Sequence, residues 1–194
     1  MNNFNNYFSY LETRSNLGRL YRKYWLYPKL ARHLKGSTLD VGCGIGDMLA
    51  FRALTTGVDI NPHTVAYCNA HDLDARLMQP NILPFPNSYF DSVLLDNVLE
   101  HIEEPNKLLK EIGRVLRDNG TLLIGVPGKR GYLSDPDHKI NYNELSLKFC
   151  LSKVGFQCQK IFYAPLWKSS FISKKVNSYC IYALFVFQSP STKV

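Results

Sequence analysis

The chain has 194 residues, 45% of them hydrophobic and 20% charged, with a formal net charge of +7. Such a length predicts one domain that buries roughly 70% of the surface its unfolded form exposes, and the composition excludes disordered, collagenous and coiled-coil chains. The longest apolar run, Cys180 to Phe187, falls far short of the ~20 residues that span a bilayer, and the Met-Asn-Asn-Phe start lacks a signal-peptide pattern, so a soluble, cytoplasmic protein is expected.

In chain order, residues 4–13 and 18–34 read as helices rich in Tyr, Leu and Arg, with Pro28 opening a further helical turn after Tyr27. The second helix is expected to lay Leu17, Tyr21, Tyr24 and Trp25 onto the rest of the fold. From Ser37 the texture changes to β-rich runs: Thr38–Val41, Thr56–Ile60, Ala75–Met78, Phe90–Asp96, Thr121–Val126, Gln157–Tyr163 and Tyr179–Phe187. Helical patterns fall between most of them. Asn61-Pro62 supplies an N-cap and a first-turn proline; Pro105 starts a helix expected to end at Asn119-Gly120; Asn143 caps another that stops at Gly155. Alternating strand and helix predicts an α/β fold with a parallel sheet and helices on both faces. The expected division is a helical amino-terminal extension over residues 1–36, acting as lid or cap, and one α/β domain over residues 37–194.

Charge is unevenly placed. Residues 1–36 hold seven basic residues and one acidic, a net of +6; residues 157–194 hold five basic and none acidic; the stretch between holds eleven basic and fifteen acidic, a net of −4. Basic ends suit an anionic partner such as phosphate, nucleic acid or a membrane surface, or are simply solvated faces of terminal elements. The five cysteines, Cys43, Cys68, Cys150, Cys158 and Cys180, form no Cys-x-x-Cys pair, so neither a disulfide framework nor a zinc site is expected.

The chemistry concentrates after the first strand. Asp40-Val41-Gly42-Cys43-Gly44-Ile45-Gly46-Asp47 places three glycines where backbone must approach a ligand closely. A dinucleotide fingerprint would put its third glycine at position 47, which is Asp47. Two carboxylates beside the turn oppose a pyrophosphate and favour a cationic ligand. Asp59, in Gly57-Val58-Asp59-Ile60, ends the second strand, where a carboxylate accepts hydrogen bonds from ribose hydroxyls; alternatively it caps the turn that follows.

With Leu83-Pro84-Phe85-Pro86, Phe90-Asp91-Ser92-Val93, Asn97-Val98-Leu99-Glu100-His101 and Gly120-Thr121-Leu122-Leu123 following in order, the chain resembles class I S-adenosylmethionine-dependent methyltransferases of the small stand-alone type. Similar chains are often met among enzymes of surface-polysaccharide synthesis. The resemblance implies a Rossmann-like, seven-stranded, mostly parallel sheet whose last hairpin is antiparallel. It also implies S-adenosyl-L-methionine as cofactor, with Gly42, Gly44 and Gly46 under its methionine part and Asp59 at its ribose, and Asp40 and Ile60 as further cofactor-binding candidates. One departure stands out: the acid and small residue expected before Leu83 are replaced by Gln79 and Pro80. Gln79 offers neutral donors and acceptors to adenine, Pro80 has no N–H, and Asn81 is the substitute donor.

Asp96 and Asn97, at the carboxyl end of the fourth strand, mark the ligand-bearing edge and are cofactor-binding candidates, Asp96 also a catalytic one. The sequence Asp96-Asn97-Val98-Leu99 lacks the Asp/Asn-Pro-Pro-aromatic pattern of nucleic-acid amino-methylases. His101 is a candidate base or a structural residue of the turn. His138, paired with Asp137 or Asp135 in the long connection Pro127–Asn143, is the leading candidate for a general base, with a loop-stapling role as its alternative. Lys129 and Arg130 are placed to hold an anionic part of the acceptor. The expectation is therefore a methyltransferase acting on the hydroxyl of a small or carbohydrate-like, anionic acceptor. Nucleic acid is not the expected partner, no metal is expected, and the basic aromatic amino-terminal helices are a candidate surface for anionic lipid. A non-catalytic cofactor-binding module and an RNA methyltransferase are the alternatives.

Overall fold

In the computed structural model, residues 2–188 are described. The amino-terminal segment forms α1 (Asn2–Glu12), α2 (Asn16–Tyr21), a π-helical turn over Arg22–Leu26, and α3 (Tyr27–Ala31), which carries Pro28 in its first turn. Ser15 caps α2 by accepting from the Gly18 amide. The wide π turn shifts which residues face inward. Leu26, Tyr27, Leu30 and Leu34 are buried, whereas Leu17, Tyr24 and Trp25 are exposed and Tyr21 only half-buried. The expected packing stripe is therefore corrected: α2 buries none of its residues, and the inward face begins at Leu26, the end of the π turn.

The α/β part then runs β1 (Thr38–Val41), α4 (Asp47–Phe51), β2 (Thr55–Asp59), α5 (Pro62–Ala70), β3 (Ala75–Leu77), β4 (Phe90–Asp96), a 3-10 turn (Leu99–His101), α6 (Asn106–Val115), β5 (Leu116–Pro127), α7 (Lys129–Leu133), α8 (Glu144–Ser152), β6 (Phe156–Ala164), α9 (Ser170–Lys175) and β7 (Cys180–Phe187). The sheet order is β3-β2-β1-β4-β5-β7-β6, parallel except where β7 runs antiparallel to both β5 and β6. This is the expected seven-stranded arrangement with an antiparallel last hairpin.

Strand alternation assigns side chains to two cores. Val93 and Leu95 of β4, with Leu122, Ile124 and Val126 of β5, pack against Leu108, Leu109 and Ile112 of α6 and Leu147 and Leu151 of α8. Their neighbours Leu94 and Leu123 face the other way, onto Leu26, Tyr27, Leu30 and Met48. The amino-terminal helices thus cover one face of the sheet rather than standing apart from it.

Two expectations on element ends change. The helix begun after Pro105 stops at Val115, not at Asn119-Gly120, because Leu116 already pairs with Phe90 in the sheet. Lys129 and Arg130 lie in α7 rather than in open loop. The capping of α5 by Asn61 and of α8 by Asn143 is as the sequence predicts, the latter a reciprocal box with Ser146.

Candidate active site

The carboxyl ends of β1, β2 and β4 bring the cofactor-side candidates together. Gly42, Gly44 and Gly46 all have φ between +55° and +78°, the region that side chains rarely enter. A Cβ on Gly42 would lie 2.5 Å from Val98 Cγ2, and one on Gly46 would lie 2.7 Å from Leu73 Cδ1. The turn is tied to the second strand by bonds from the Gly42 amide (2.8 Å) and the Cys43 amide (3.1 Å) to the Val58 carbonyl.

Asp59 closes the arrangement. One carboxylate oxygen accepts from the Gly44 amide at 2.9 Å and the other from the Asn61 amide at 2.9 Å. It therefore both caps the turn that starts α5 and holds the middle glycine. Burial pushes its carboxyl up against the opposing pull of the Asn61 and Gly44 amides. Ile60, next in sequence, is exposed at the rim.

Asp40 and Asp96 complete a group of carboxyls at one spot. Asp40 is buried, and burial followed by repulsion from Asp96, Asp59 and Asp47 pushes its carboxyl to about 8. Burial also raises Asp96, against the pull of Arg22. Asp96 accepts from the Tyr182 hydroxyl at 3.0 Å and from the Asn97 side-chain amide at 2.9 Å. Asn97 itself is left-handed at φ 55°, its amide donating to the Gly125 carbonyl. Buried carboxyls that repel one another leave a position where a cation is stabilised. The donor set and the glycine turn fit a ligand carrying an ammonium and a sulfonium, and they do not fit a pyrophosphate.

The amino-terminal helices supply residues that sequence reasoning did not single out. Leu11 is buried over the glycine turn, and Asn61 donates to the Phe4 carbonyl at 3.0 Å. Arg14 bonds Asp47 at 3.3 Å. Burial works against the Arg22 charge, yet Tyr27 and Asp96 beside it hold its guanidinium above its usual range. The basic residues of this segment are thus partly spent on the acidic site of the same chain. The +6 count of residues 1–36 was the available signal, read there as pointing outward.

Of the adenine candidates, Gln79 and Pro80 are exposed and Asn81 is left-handed at φ 62° in a tight turn closed by the Ile82 amide on the Gln79 carbonyl (3.1 Å). The following Leu83-Pro84-Phe85 is pinned from α6. Arg114 donates to the Phe85 and Leu83 carbonyls at 2.8 and 3.0 Å, and Glu111 accepts from the Leu83 amide at 3.1 Å.

The two candidate histidines meet as well. The His101 and His138 ring centres are 4.6 Å apart. His138 Nε2 lies 3.8 Å from a carboxylate oxygen of Glu100 and 3.8 Å from one of Asp135, and its Nδ1 is 2.9 Å from the Tyr132 carbonyl. Of the two expected partners, Asp135 is the one whose carboxylate faces the ring, and the unforeseen Glu100 joins it. Burial, then the neighbouring His138, lowers His101 below its ordinary value. A cavity of about 330 Å³ opens nearby in sequence, lined by Lys129, Arg130, Leu133, Ser134, Lys174 and Asn177.

Residues 39–124 match the family model described as a methyltransferase domain. That span holds the glycine turn, Asp59, Asp96 and His101, and stops before His138. A probable S-adenosylmethionine-dependent methyltransferase of Mycolicibacterium smegmatis is 29% identical over 69% of this chain and 57% of its own. A second, from Mycobacterium tuberculosis, is 31% identical over 60% of this chain and 45% of its own. The chain thus spans about half the length of the curated relatives it matches. Among solved structures, a methyltransferase of that cofactor class from Archaeoglobus fulgidus superposes with a TM-score of 0.65 over 84% of this chain and 93% of that one, at 22% identity. The shared fold is Rossmann-like.

Proposed function

We propose that the protein is an S-adenosylmethionine-dependent methyltransferase that methylates a hydroxyl of a small, anionic, carbohydrate-like acceptor. The observation that carries the cofactor assignment is the glycine turn fastened to Asp59 beside the buried carboxyl of Asp40 and the half-buried one of Asp96. When bound, the cofactor supplies an electrophilic methyl group on a sulfonium. Gly42, Gly44 and Gly46 give room to its methionine part, and the carboxyls of Asp40 and Asp96 offset its positive charge. Asp59 has lone pairs left for ribose hydroxyls after its two amide bonds. Gln79 and Asn81 lie at the adenine end.

Methyl displacement relies on alignment and exclusion of water, and alignment alone is worth ~7–11 kcal/mol in favourable cases. Helices α1 to α3 serve as the cap, with Leu11 over the turn and Arg14 and Arg22 bonded or adjacent to its acids. His138 is the residue placed to take the acceptor proton, with Glu100 and Asp135 beside it. Lys129, Arg130 and Lys174 around one cavity support an anionic acceptor. Exposed Leu17, Leu20 and Tyr24, interleaved with Arg19 and Lys23, support contact between the cap and an anionic lipid surface. Among the described residues, no helix is long and apolar enough to cross a membrane.

The test is methyl transfer from labelled cofactor to a panel of uronic acids, sugar phosphates and their neutral counterparts. Labelling of the acidic sugars above the neutral ones supports the reading. Label passing to neutral sugars equally well overturns the anionic acceptor, and label passing to RNA alone overturns the carbohydrate class.

A further inference from the structure

Glu100 has no explanation in the fold or in the cofactor site. Its side chain is 1% exposed, yet neither carboxylate oxygen has a hydrogen-bond partner. A buried carboxyl left wholly unpartnered is rare and points to a group that the protein atoms alone do not supply. Glu100 follows the end of β4 in the 3-10 turn, and its backbone carbonyl accepts from the Lys139 and Ile140 amides at 2.7 and 3.1 Å. Those bonds clamp the connection after α7 onto the turn and bring His138 over Glu100.

Each of Glu100, His101 and His138 offers one ligand atom, and these atoms lie within 4.8 Å of one another. The imidazole of His138 is oriented for ligation. Its Nδ1 lies 2.9 Å from the Tyr132 carbonyl, so the N–H resides there and the Nε2 lone pair faces Glu100. A backbone carbonyl fixing the tautomer of a ligating histidine is the usual outer support of a metal site. Tyr132 stacks on His138 at 17° and keeps the ring in place.

We propose that Glu100, His101 and His138 form a three-ligand site for a divalent transition metal, open on the side of Asp135. Two imidazoles and a carboxylate suit Zn²⁺ and its first-row neighbours, and three protein ligands leave positions for a substrate oxygen. Bonds of ~2.1 Å require ligand atoms ~3.4 Å apart, so side-chain rotation closes the remaining gap. Asp135, 3.8 Å from His138 Nε2 and less buried, stands where it can bond a metal-held water or hydroxyl.

The site's use rests on the methyltransferase reading above. Glu100 lies in the turn that follows Asp96 at the carboxyl end of β4, which puts the metal on the same edge of the sheet as the cofactor residues. There it would bind an acceptor hydroxyl and acidify it. The hydroxyl proton leaves to solvent through Asp135, the oxygen lone pair forms the bond to the methyl carbon, and the carbon–sulfur bond breaks with its pair going to sulfur. His138 is then a ligand, not a free base.

Metal content and affinity test the site without any turnover. The intact chain is stripped with chelator, dialysed against Zn²⁺ and, separately, Co²⁺, and compared with Glu100→Gln, His101→Ala and His138→Ala. One equivalent of metal in the wild type is expected, weakened at least tenfold by each substitution, with histidine-type visible bands for Co²⁺. Cofactor binding, measured in parallel, should be kept by all three variants and shows that they are folded. Zn²⁺ affinity unchanged in both histidine variants overturns the site and assigns the metal to the five free thiols. Less than one-tenth equivalent in the wild type overturns it as well. Metal binding as expected with no cofactor binding leaves the site standing and overturns the methyltransferase reading instead.

Discussion

The two halves of the candidate site are built on opposite principles. The cofactor half is acidic and shaped by backbone: three left-handed glycines, a strand-end aspartate bonded to two amides, and an Asp40 carboxyl that burial, then its neighbouring carboxyls, raise to about 8. The acceptor half is shaped by side chains. A glutamate and two histidines gather where two connections cross, and a separate cavity is rimmed by basic residues of α7 and α9. The first half draws mainly on one stretch of chain, residues 40–61, and recruits arginines from the cap to balance its charge. The second draws on residues around 100, 130 and 175. A half made of backbone geometry fixes one ligand, whereas a half made of side chains on connections is free to vary its substrate.

The largest expected effect separates the halves cleanly. His138→Ala should lower turnover by ~10²–10⁴ while leaving cofactor affinity unchanged, whether the ring acts as base or as ligand. Stopped-flow or steady-state rates beside calorimetric affinities check this; full activity would mean that alignment alone carries the acceptor half. Next comes Asp59→Ala. Hydrogen bonds to a charged group are worth ~1.5–3 kcal/mol, so cofactor affinity should fall by roughly 10- to 150-fold. An unchanged dissociation constant in a folded variant would move the ribose elsewhere.

A smaller effect is expected from Lys129→Ala combined with Arg130→Ala, which should raise KM several-fold for an acidic acceptor and leave kcat alone. Added salt should mimic it in the wild type, since the Debye length shrinks to ~3 Å at 1 M. A fall in kcat instead would place these residues in the chemistry. The smallest is Gln79→Ala, a neutral hydrogen bond of ~0.5–1.5 kcal/mol, read as a few-fold loss of cofactor affinity and smaller than that of Asp59→Ala. A cofactor-bound structure with Gln79 turned to solvent would remove its role.

The difference between the halves also explains what the sequence disclosed. The strands themselves, the capping by Asn61 and Asn143 and the glycine turn rest on contacts a few residues long or on alternation within one strand, so they are legible in the residues themselves. The order of the strands rests instead on pairings far apart in the chain, and only the resemblance implied the sheet's arrangement. The helix ending at Val115 was misplaced because Asn119-Gly120 carries strong stop signals, while the tertiary pairing of Leu116 with Phe90 ends the helix earlier. The inward face of the amino-terminal helix was misread because no local pattern announces a π turn at Arg22. His138 was visible as a residue, but its partner was not: Glu100 lies 38 positions away and meets it only because the Lys139 and Ile140 amides clamp onto its carbonyl.

The central claim, that crowded carboxyls around the glycine turn hold a cationic cofactor, is tested by calorimetric titration with S-adenosylmethionine between pH 5.5 and 7. In this window the free ligand keeps its ammonium charged, and Asp40, at about 8 in the ligand-free fold, is still largely protonated. A cation arriving beside it drives the proton off, so binding should release up to one proton, with affinity rising as pH increases. Heats measured in two buffers of different ionisation enthalpy count that proton, and Asp40→Asn should remove its share. The account predicts one cofactor per chain, proton release in the wild type and a smaller release in Asp40→Asn. Absence of binding, or binding of the same affinity at every pH with no proton exchanged, would contradict it.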